Sequence, residues 1–307
     1  MKVCYFIQTH KNPQQIRRLV QTIKSSSSSA QIIIGHDFTS SYLDTSILQN
    51  FSDVHILKIE KSGIRGDFSL LQPYLQAIDW LFTNNSDFDW LVYISGQDYP
   101  TQPIAKIESF LSKTDYDGFM QYFDTSSPEC LWEEDEVFKR YFCQYYRLPN
   151  WTKKLLLRAL LIQKVTPIIL SVYYGSLIGL PAKRTPFNER FICYGGSQWH
   201  TLSKKCIQYI RDFIKENESL VNYYKKTLVP DESFIQTILL NSHKFKICSD
   251  NKRYIDFTET DWGHARILTS RDYKTITNGN FHFARKLEQD TDILNMLDAY
   301  MLSQLKV

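Results

Sequence analysis

The sequence predicts an α/β fold with a mainly parallel central sheet flanked by helices and a helical C-terminal extension, and three observations carry that expectation. Short apolar runs alternate with segments of helical periodicity over the first third of the chain, the signature of βα units. A length of 307 residues suits one large α/β domain. Hydrophobic residues make up 43% of the chain and charged residues 22%, enough apolar material for a large core and too little charge for a disordered composition.

Taken in order, strands are expected at 3–7, 32–35, 54–59 and 90–95, each an apolar run followed by a polar turn. Helices are expected at 13–25 and 69–82. Pro13 suits a first helical turn, where its missing N–H costs nothing, and Asn12 before it has the side chain of an N-cap. The serine run 25–29 reads as a loop. Further on, the pattern gives a helix over 104–111, a strand over 118–123 and an aromatic helix over 134–146. The chain then changes character. Across 147–190, Arg147, Lys153, Lys154, Arg158, Lys164, Lys183, Arg184 and Arg190 stand against Glu189 alone. Two apolar runs lie there, 155–163 and 165–180; the second is shorter than a bilayer span of about 20 residues and contains Pro167. A buried helix pair with basic edges is the expectation, and a monotopic membrane contact near a lipid-linked acceptor is the alternative.

Several function classes are excluded. A net charge of +3 gives no general nucleic-acid-binding role. The six cysteines, Cys4, Cys130, Cys143, Cys193, Cys206 and Cys248, have no C-x-x-C spacing, so neither a zinc knuckle nor a redox dithiol is expected. A dinucleotide-dependent oxidoreductase would need G-x-G-x-x-G after the first strand, where Gln8-Thr9-His10-Lys11 supplies no glycine. The amino terminus lacks the longer apolar core and small-residue cleavage site of a secretory signal, so a cytoplasmic location is expected.

Ligands of an open parallel sheet bind at the carboxyl ends of its strands. Those positions carry Gln8, Thr9, His10 and Lys11, then 61–67 including Arg65, then Ser95, Gly96, Gln97 and Asp98, a polar set suited to a charged nucleotide. Asp87-Phe88-Asp89 and Asp115-Tyr116-Asp117 have the Asp-x-Asp form that holds a divalent ion against a diphosphate, but each precedes a strand and reads as turn and cap. Asp98 alone makes a weak metal site. Without a metal, lysine and arginine would have to stabilise a departing anion, and Arg266, Arg285 and Lys286 are the candidates. Pro230 and Asp231 mark a helix start and leave Glu232 in its first turn, where the two acids either complement the helix dipole or do chemistry.

Seven strings in order over residues 1 to 290 then resemble the core-2/I-branching β-1,6-N-acetylglucosaminyltransferase and peptide xylosyltransferase family. They are Ile7-Gln8-Thr9-His10-Lys11-Asn12-Pro13, Gly66-Asp67-Phe68-Ser69-Leu70, Tyr93-Ile94-Ser95-Gly96-Gln97-Asp98-Tyr99-Pro100, Gly195-Gly196-Ser197-Gln198-Trp199, Pro230-Asp231-Glu232-Ser233-Phe234, Arg253-Tyr254-Ile255-Asp256-Phe257 and Phe283-Ala284-Arg285-Lys286. The resemblance implies a GT-A-type nucleotide-sugar transferase fold without a metal-binding Asp-x-Asp, and transfer with inversion at the sugar's anomeric carbon. It implies Glu232 as the general base, and Arg266 and Lys286 on the nucleotide diphosphate, with Arg285, His10, Lys11 and Arg65 nearby. Arg285 ranks below Lys286 because neighbours on a regular strand point to opposite faces. Gln97, Asp98, Ser197, Gln198, Trp199, Asp231 and Tyr254 are expected on the sugar and acceptor.

The donor implied is UDP-N-acetylglucosamine, with UDP-xylose second, and no divalent metal or other cofactor is expected. An oligosaccharide, glycolipid or protein would be the acceptor. The organisation expected is a single domain over 1–307: a nucleotide-binding βα half (1–125), a basic and apolar helical insert (126–190), an acceptor and diphosphate-binding half (191–290) and a C-terminal helix (291–307). The segment 147–190 carries no family motif, and Phe257 stands where tryptophan is common in the family. The chain resembles the bacterial, cytoplasmic members, which suggests surface polysaccharide or glycoconjugate synthesis, on the inner face of the plasma membrane if 147–190 touches lipid. A catalytically silent carbohydrate-binding or scaffolding homologue is the rival reading.

Overall fold

The first strand, β1 (Val3–Thr9), is apolar on both faces, and the structure buries both: Val3, Tyr5 and Ile7 enter one core, Cys4 and Phe6 the other. The computed structural model of the chain describes residues 1–59, 61–160, 168–258, 260, 263–289 and 292–304. After β1 come α1 (Pro13–Ser26), β2 (Gln31–Asp37), β3 (Val54–Ile59), α2 (Gln72–Thr83), β4 (Trp90–Ser95), β5 (Tyr99–Pro100), α3 (Ile104–Lys113), β6 (Gly118–Asp124) and α4 (Glu134–Tyr141). The middle of the chain forms β7 (Cys143–Arg147), α5 (Lys153–Ala159), β8 (Ile169–Ser171), β9 (Leu177–Pro181), β10 (Tyr194–Ser203), α6 (Lys204–Glu216), α7 (Glu218–Tyr224) and α8 (Phe234–Leu240). The last third supplies β11 (Ile247–Cys248), β12 (Arg253–Ile255), α9 (Tyr273–Asn278), β13 (Phe283–Arg285) and α10 (Asp292–Gln304).

Among the described residues the strands form three sheets. The central one has seven strands in the order β11-β6-β10-β4-β1-β2-β3, all parallel to their neighbours except β10, which runs antiparallel between β6 and β4. The mainly parallel α/β sheet read from the sequence is therefore present. Small sheets β12-β13-β5 and β7-β9-β8 flank it.

Helices cover both faces. Ile16, Leu19, Val20 and Ile23 recur at helical spacing along α1 and, with Ile104 and Ile107 of α3 and Leu294 and Leu297 of α10, fill the core on one face. Tyr74 and Ile78 of α2, Ile207 and Ile210 of α6 and Ile235 and Ile238 of α8 fill the other. Gly35 on β2 is a close-approach position, since a Cβ there would lie 2.9 Å from the Phe6 ring.

The structure corrects several local expectations. Asn12 does not cap α1 with its side chain: it sits in the left-handed region at φ 54°, and only its carbonyl takes part, accepting from Ile16 N–H at 3.1 Å. The chain leaving β1 must turn sharply there, and asparagine tolerates that conformation. The second helix begins at Gln72, after a 3₁₀ turn over Phe68–Leu70 that Asp67 caps through Ser69 N–H at 2.9 Å. The aromatic helix expected over 134–146 stops at Tyr141, and the residues after it become β7, because Cys143 to Arg147 find a cross-strand partner in β9.

The expected buried helix pair in the basic insert is also wrong. Among the described residues α5 is the one α-helix there, after a 3₁₀ turn over Asn150–Thr152, while Ile169–Ser171 and Leu177–Pro181 pair as strands; part of the first apolar run and the start of the second, 161–167, lie outside the described residues. Short apolar runs carry no period that separates strand from helix. No helix among the described residues is long and apolar enough to cross a membrane. The C-terminal helix expected over 291–307 is α10, with 291 and 305–307 outside the described residues.

Candidate active site

A cavity of about 750 Å³ opens where parallel strands β1, β2 and β4 end, and Gln8, Thr9, His10, Asp37, Ser95 and Gln97 line that side. This is the crevice that an open parallel sheet offers at its carboxyl edge. Asp37 is rigidly held: burial pushes its carboxyl up, but hydrogen bonds from Thr39 and Ser40 outweigh this and bring it down to about 2. His10 lies on the wall with its imidazole pKa lowered, by burial and then by Lys11.

A second wall comes from β10. Its pairing with β6 shifts register between Gly196 and His200, so Ser197, Gln198 and Trp199 bulge out of the ladder and line the cavity. Gly196 permits the approach that precedes the bulge, since a Cβ there would lie 2.0 Å from the Gln121 carbonyl oxygen. Gln198 donates to the Tyr93 hydroxyl at 2.6 Å, and Gln236 Nε2 donates to the Ser197 carbonyl at 2.8 Å, so the bulge is held from behind.

Cations gather on the same cavity. Arg65, Arg285 and Lys286 all line it. Arg285 is buried, its guanidinium 3.9 Å from the centre of the Trp199 ring and 3.5 Å from Asp98, and its Nη1 has no hydrogen-bond partner. The Lys286 backbone bonds to Arg266 and Leu268, but its ammonium has no ion-pair or hydrogen-bond partner among the described residues. Its ammonium pKa is lowered, first by burial and then by Arg285, Arg65 and Lys11. Strand alternation does not separate the two, because β13 ends at Arg285 and Lys286 lies past it. Arg65 meets Tyr173 and His264 across the rim.

The carboxylates lie on a 3₁₀ turn, Pro230–Glu232, directly before α8 rather than in the first turn of that helix. Both Asp231 and Glu232 line the cavity. Asp231 is buried, its Oδ1 has no hydrogen-bond partner, and burial followed by the neighbouring Glu232 charge raises its pKa. Burial raises Glu232 as well, against the pull of Arg140, whose Nη1 donates to Glu232 Oε2 at 2.9 Å.

Four residues singled out in the sequence stand elsewhere. Asp98 is fully buried and off the cavity lining, its Oδ2 accepting from the Ser95 backbone N–H at 2.6 Å. Lys11 lies off the lining in an ion pair with Glu288 at 3.0 Å. Tyr254 packs on Phe281 with ring centroids 5.3 Å apart. Arg266 is clamped between Asp256, at 2.7 Å from Nε, and Asp272, at 3.0 Å from Nη1, and is not on the lining. Asp89 and Asp117 of the two Asp-x-Asp strings bond the Lys2 and Lys246 backbones at the strand starts. Among the described residues no three histidine, cysteine, aspartate or glutamate side chains gather as a metal-ligand cluster. All six cysteines are free.

Other lining residues were missed in the sequence: Glu136 and Arg140 on α4, and Tyr173 and Tyr174 between β8 and β9. The i,i+4 spacing of Glu136 and Arg140 was visible as a helix-surface pair, but not which cavity it faces. Tyr173 and Tyr174 lay in a run read as buried helix.

A family model described as Core-2/I-Branching enzyme matches residues 3–282. The beta-glucuronosyltransferase GlcAT14A of Arabidopsis thaliana is 22% identical over 271 residues, covering 85% of this chain and 53% of that protein. Xylosyltransferase 1 of Rattus norvegicus is 24% identical over 298 residues, covering 86% of this chain and 31% of that protein. The chain thus spans about half the length of the plant relative and about a third of the rat one. Among solved structures, the Q189E active-site mutant of LgtC aligns over 98% of this chain and 96% of its own, at 9% identity and a TM-score of 0.46.

Proposed function

The chain belongs to the Core-2/I-Branching enzyme family, and from that premise we propose that it is an inverting, metal-independent glycosyltransferase of GT-A type. It moves N-acetylglucosamine or xylose from a UDP-sugar to an acceptor hydroxyl. The observation that carries this reading is the cavity itself, whose wall holds the Lys286 ammonium, with no partner among the described residues, and the buried Arg285 guanidinium 3.5 Å from Asp98, together with the carboxylates of Asp231 and Glu232.

In this mechanism Glu232 takes the proton of the acceptor hydroxyl as that oxygen attacks the anomeric carbon from the face opposite the diphosphate. The new C–O bond forms as the bond to the diphosphate breaks, and UDP leaves with the electron pair and without a proton, so one carboxylate suffices. Lys286, Arg285 and Arg65 offset the charge that develops on the leaving group. Arg266, clamped by Asp256 and Asp272, supports the segment that brings Ile255 and Phe257 to the cavity. Gln97, Ser197, Gln198 and Asp231 meet sugar hydroxyls, and Trp199 offers its ring face.

The test is a panel of UDP-sugars that includes N-acetylglucosamine, xylose and glucuronic acid, with and without EDTA, reading binding and slow donor hydrolysis. Binding indifferent to EDTA, with hydrolysis lost in Glu232→Gln by about 10²-fold or more, is the expected result. Binding that requires a divalent ion would overturn the metal-free mechanism, and no binding of any UDP-sugar would favour a silent carbohydrate-binding homologue.

A specific feature favours an acceptor at a membrane. On and beside α5, Trp151 is 78% exposed, Leu155 63% and Leu157 48%, interleaved with exposed Lys153, Lys154 and Arg158. Such a face suits the interface of an anionic bilayer, which fits a cytoplasmic enzyme building a bacterial surface polysaccharide or glycolipid on the inner leaflet. Cosedimentation with vesicles containing anionic lipid, lost when Lys153, Lys154 and Arg158 become alanine, is the expected outcome. A wild-type protein that stays in the supernatant would refute it.

A further inference from the structure

Glu232 is not held by its own turn alone. Arg140 of α4 donates through Nη1 to Glu232 Oε2 at 2.9 Å, while its Nη2 pairs with Glu136 one helical turn earlier. Its side chain is 15% exposed, so the fork is fixed in place. Trp132 packs on the guanidinium, with Cζ 4.5 Å from the ring centre, and itself stands edge-on to Phe123 at 4.7 Å. Gly195 makes the room: a Cβ there would lie 2.4 Å from Trp132 and 2.8 Å from Phe123. A glycine on β10 thus admits the indole, the indole steadies the arginine, and the arginine grips the carboxylate.

We infer that Arg140 is a positioning residue for Glu232, holding the carboxylate ionised and turned so that Oε1 is the oxygen left to receive the acceptor proton, with Trp132 and Gly195 fixing Arg140 in turn. The inference rests on the reading of Glu232 as the base. A half-buried carboxylate beside other acids drifts toward its neutral form, in which it cannot accept a proton. The groups facing Glu232 are Arg140 and Glu136 from α4, Asp231 from its own turn, Arg65 from the loop after β3, and the phenols of Tyr141 and Tyr174. Arg140 and Arg65 favour the ionised form, while Glu136 opposes it and also draws on the Arg140 charge. The fork of arginine suits this double duty, which a lysine point charge fulfils only in part.

The pH profile of UDP-N-acetylglucosamine and UDP-xylose hydrolysis, with water in the acceptor's place, reads this directly. Because only ionised Glu232 is active, the acid limb reports its protonation. In Arg140→Gln that limb moves to higher pH by about one unit, and Arg140→Lys restores part of the shift. Glu136→Gln moves it the other way, to lower pH. Trp132→Leu, which leaves every charge in place, shifts it in the direction of Arg140→Gln by less, with UDP-sugar binding retained. An acid limb unmoved in Arg140→Gln, with hydrolysis lowered equally at all pH values, would reduce Arg140 to a structural residue and overturn the inference. Glu232→Gln run alongside separates the two readings: if it hydrolyses the donor at the wild-type rate, the base assignment falls and this inference with it; if it is inactive while the Arg140→Gln profile matches wild type, only this inference falls.

Discussion

Lys286 and Arg266 were assigned the same work by the family resemblance, and their neighbours divide them. The Lys286 ammonium lines the cavity with no partner among the described residues, whereas Arg266 is neutralised by two carboxylates, of which Asp272 is buried. Lys286→Ala is expected to weaken UDP-sugar binding by about 1.5–3 kcal/mol, the range for a hydrogen bond to a charged group, with little change in melting temperature. Arg266→Ala is expected to do the reverse. It lowers stability by about 1–3 kcal/mol, less than a fully buried pair because the guanidinium is a quarter exposed. The pH dependence has a definite sign. Burial pushes the Asp272 carboxyl up, but Arg266 and the Thr269 N–H outweigh burial and hold it below its ordinary 3.8. A carboxyl depressed in the folded state stabilises the fold above its unfolded value, and that contribution disappears as pH falls through the folded one. Urea unfolding of wild type should therefore weaken as pH drops below about 4, and Arg266→Ala should weaken less over the same window.

Elements show where local pattern is informative and where it is not. The strands β1, β2 and β4 were legible because an apolar run buried on both faces is written in consecutive residues, and α1 because Ile16, Leu19, Val20 and Ile23 keep a helical period. The end of α4 was not, because the aromatic residues 141–146 suit helix and strand alike and only pairing with β9 chooses. The β10 bulge lies between these cases. Gly195-Gly196-Ser197-Gln198-Trp199 stood out as one of the family-like strings, but nothing in it said that Ser197, Gln198 and Trp199 would bulge into a cavity. Gly196→Ala sets a Cβ against the Gln121 carbonyl and is expected to cost about 1–3 kcal/mol of stability. Because the bulge carries the cavity-lining residues proposed to meet the sugar, UDP-sugar affinity should fall further than the stability loss explains, a split that calorimetry on the folded fraction would resolve.

For the whole molecule, the core on one face of the sheet is completed from the far end of the chain. Ile293, Leu294, Leu297 and Met301 of α10 pack onto the layer formed by α1, α3 and the first strands. Deleting residues from 292 onward removes those side chains and uncovers the apolar layer beneath them, each lost side chain forfeiting about 1.5–3 kcal/mol of burial, against a total stability on the order of 5–15 kcal/mol. The truncated chain is expected to lose its cooperative thermal transition by circular dichroism; a transition at the wild-type temperature would show that α10 is dispensable. By itself the sequence determined the mainly parallel sheet and the polar ends of its strands, and it singled out Glu232, Lys286 and the Gly195-Gly196 string, whose Ser197 lines the cavity along with the other two. Each of these is encoded by neighbours along the chain, in the period of burial or in a short motif. Only the tertiary structure decided that Arg266 is tied up, that Asp98 is buried off the lining, that Tyr173 and Tyr174 join the wall, and that Arg140 reaches Glu232 from 92 residues away. Ion pairs and cavity walls join segments distant in sequence, and which carboxylate a cation meets is set by the packing of whole elements, a quantity no local period records.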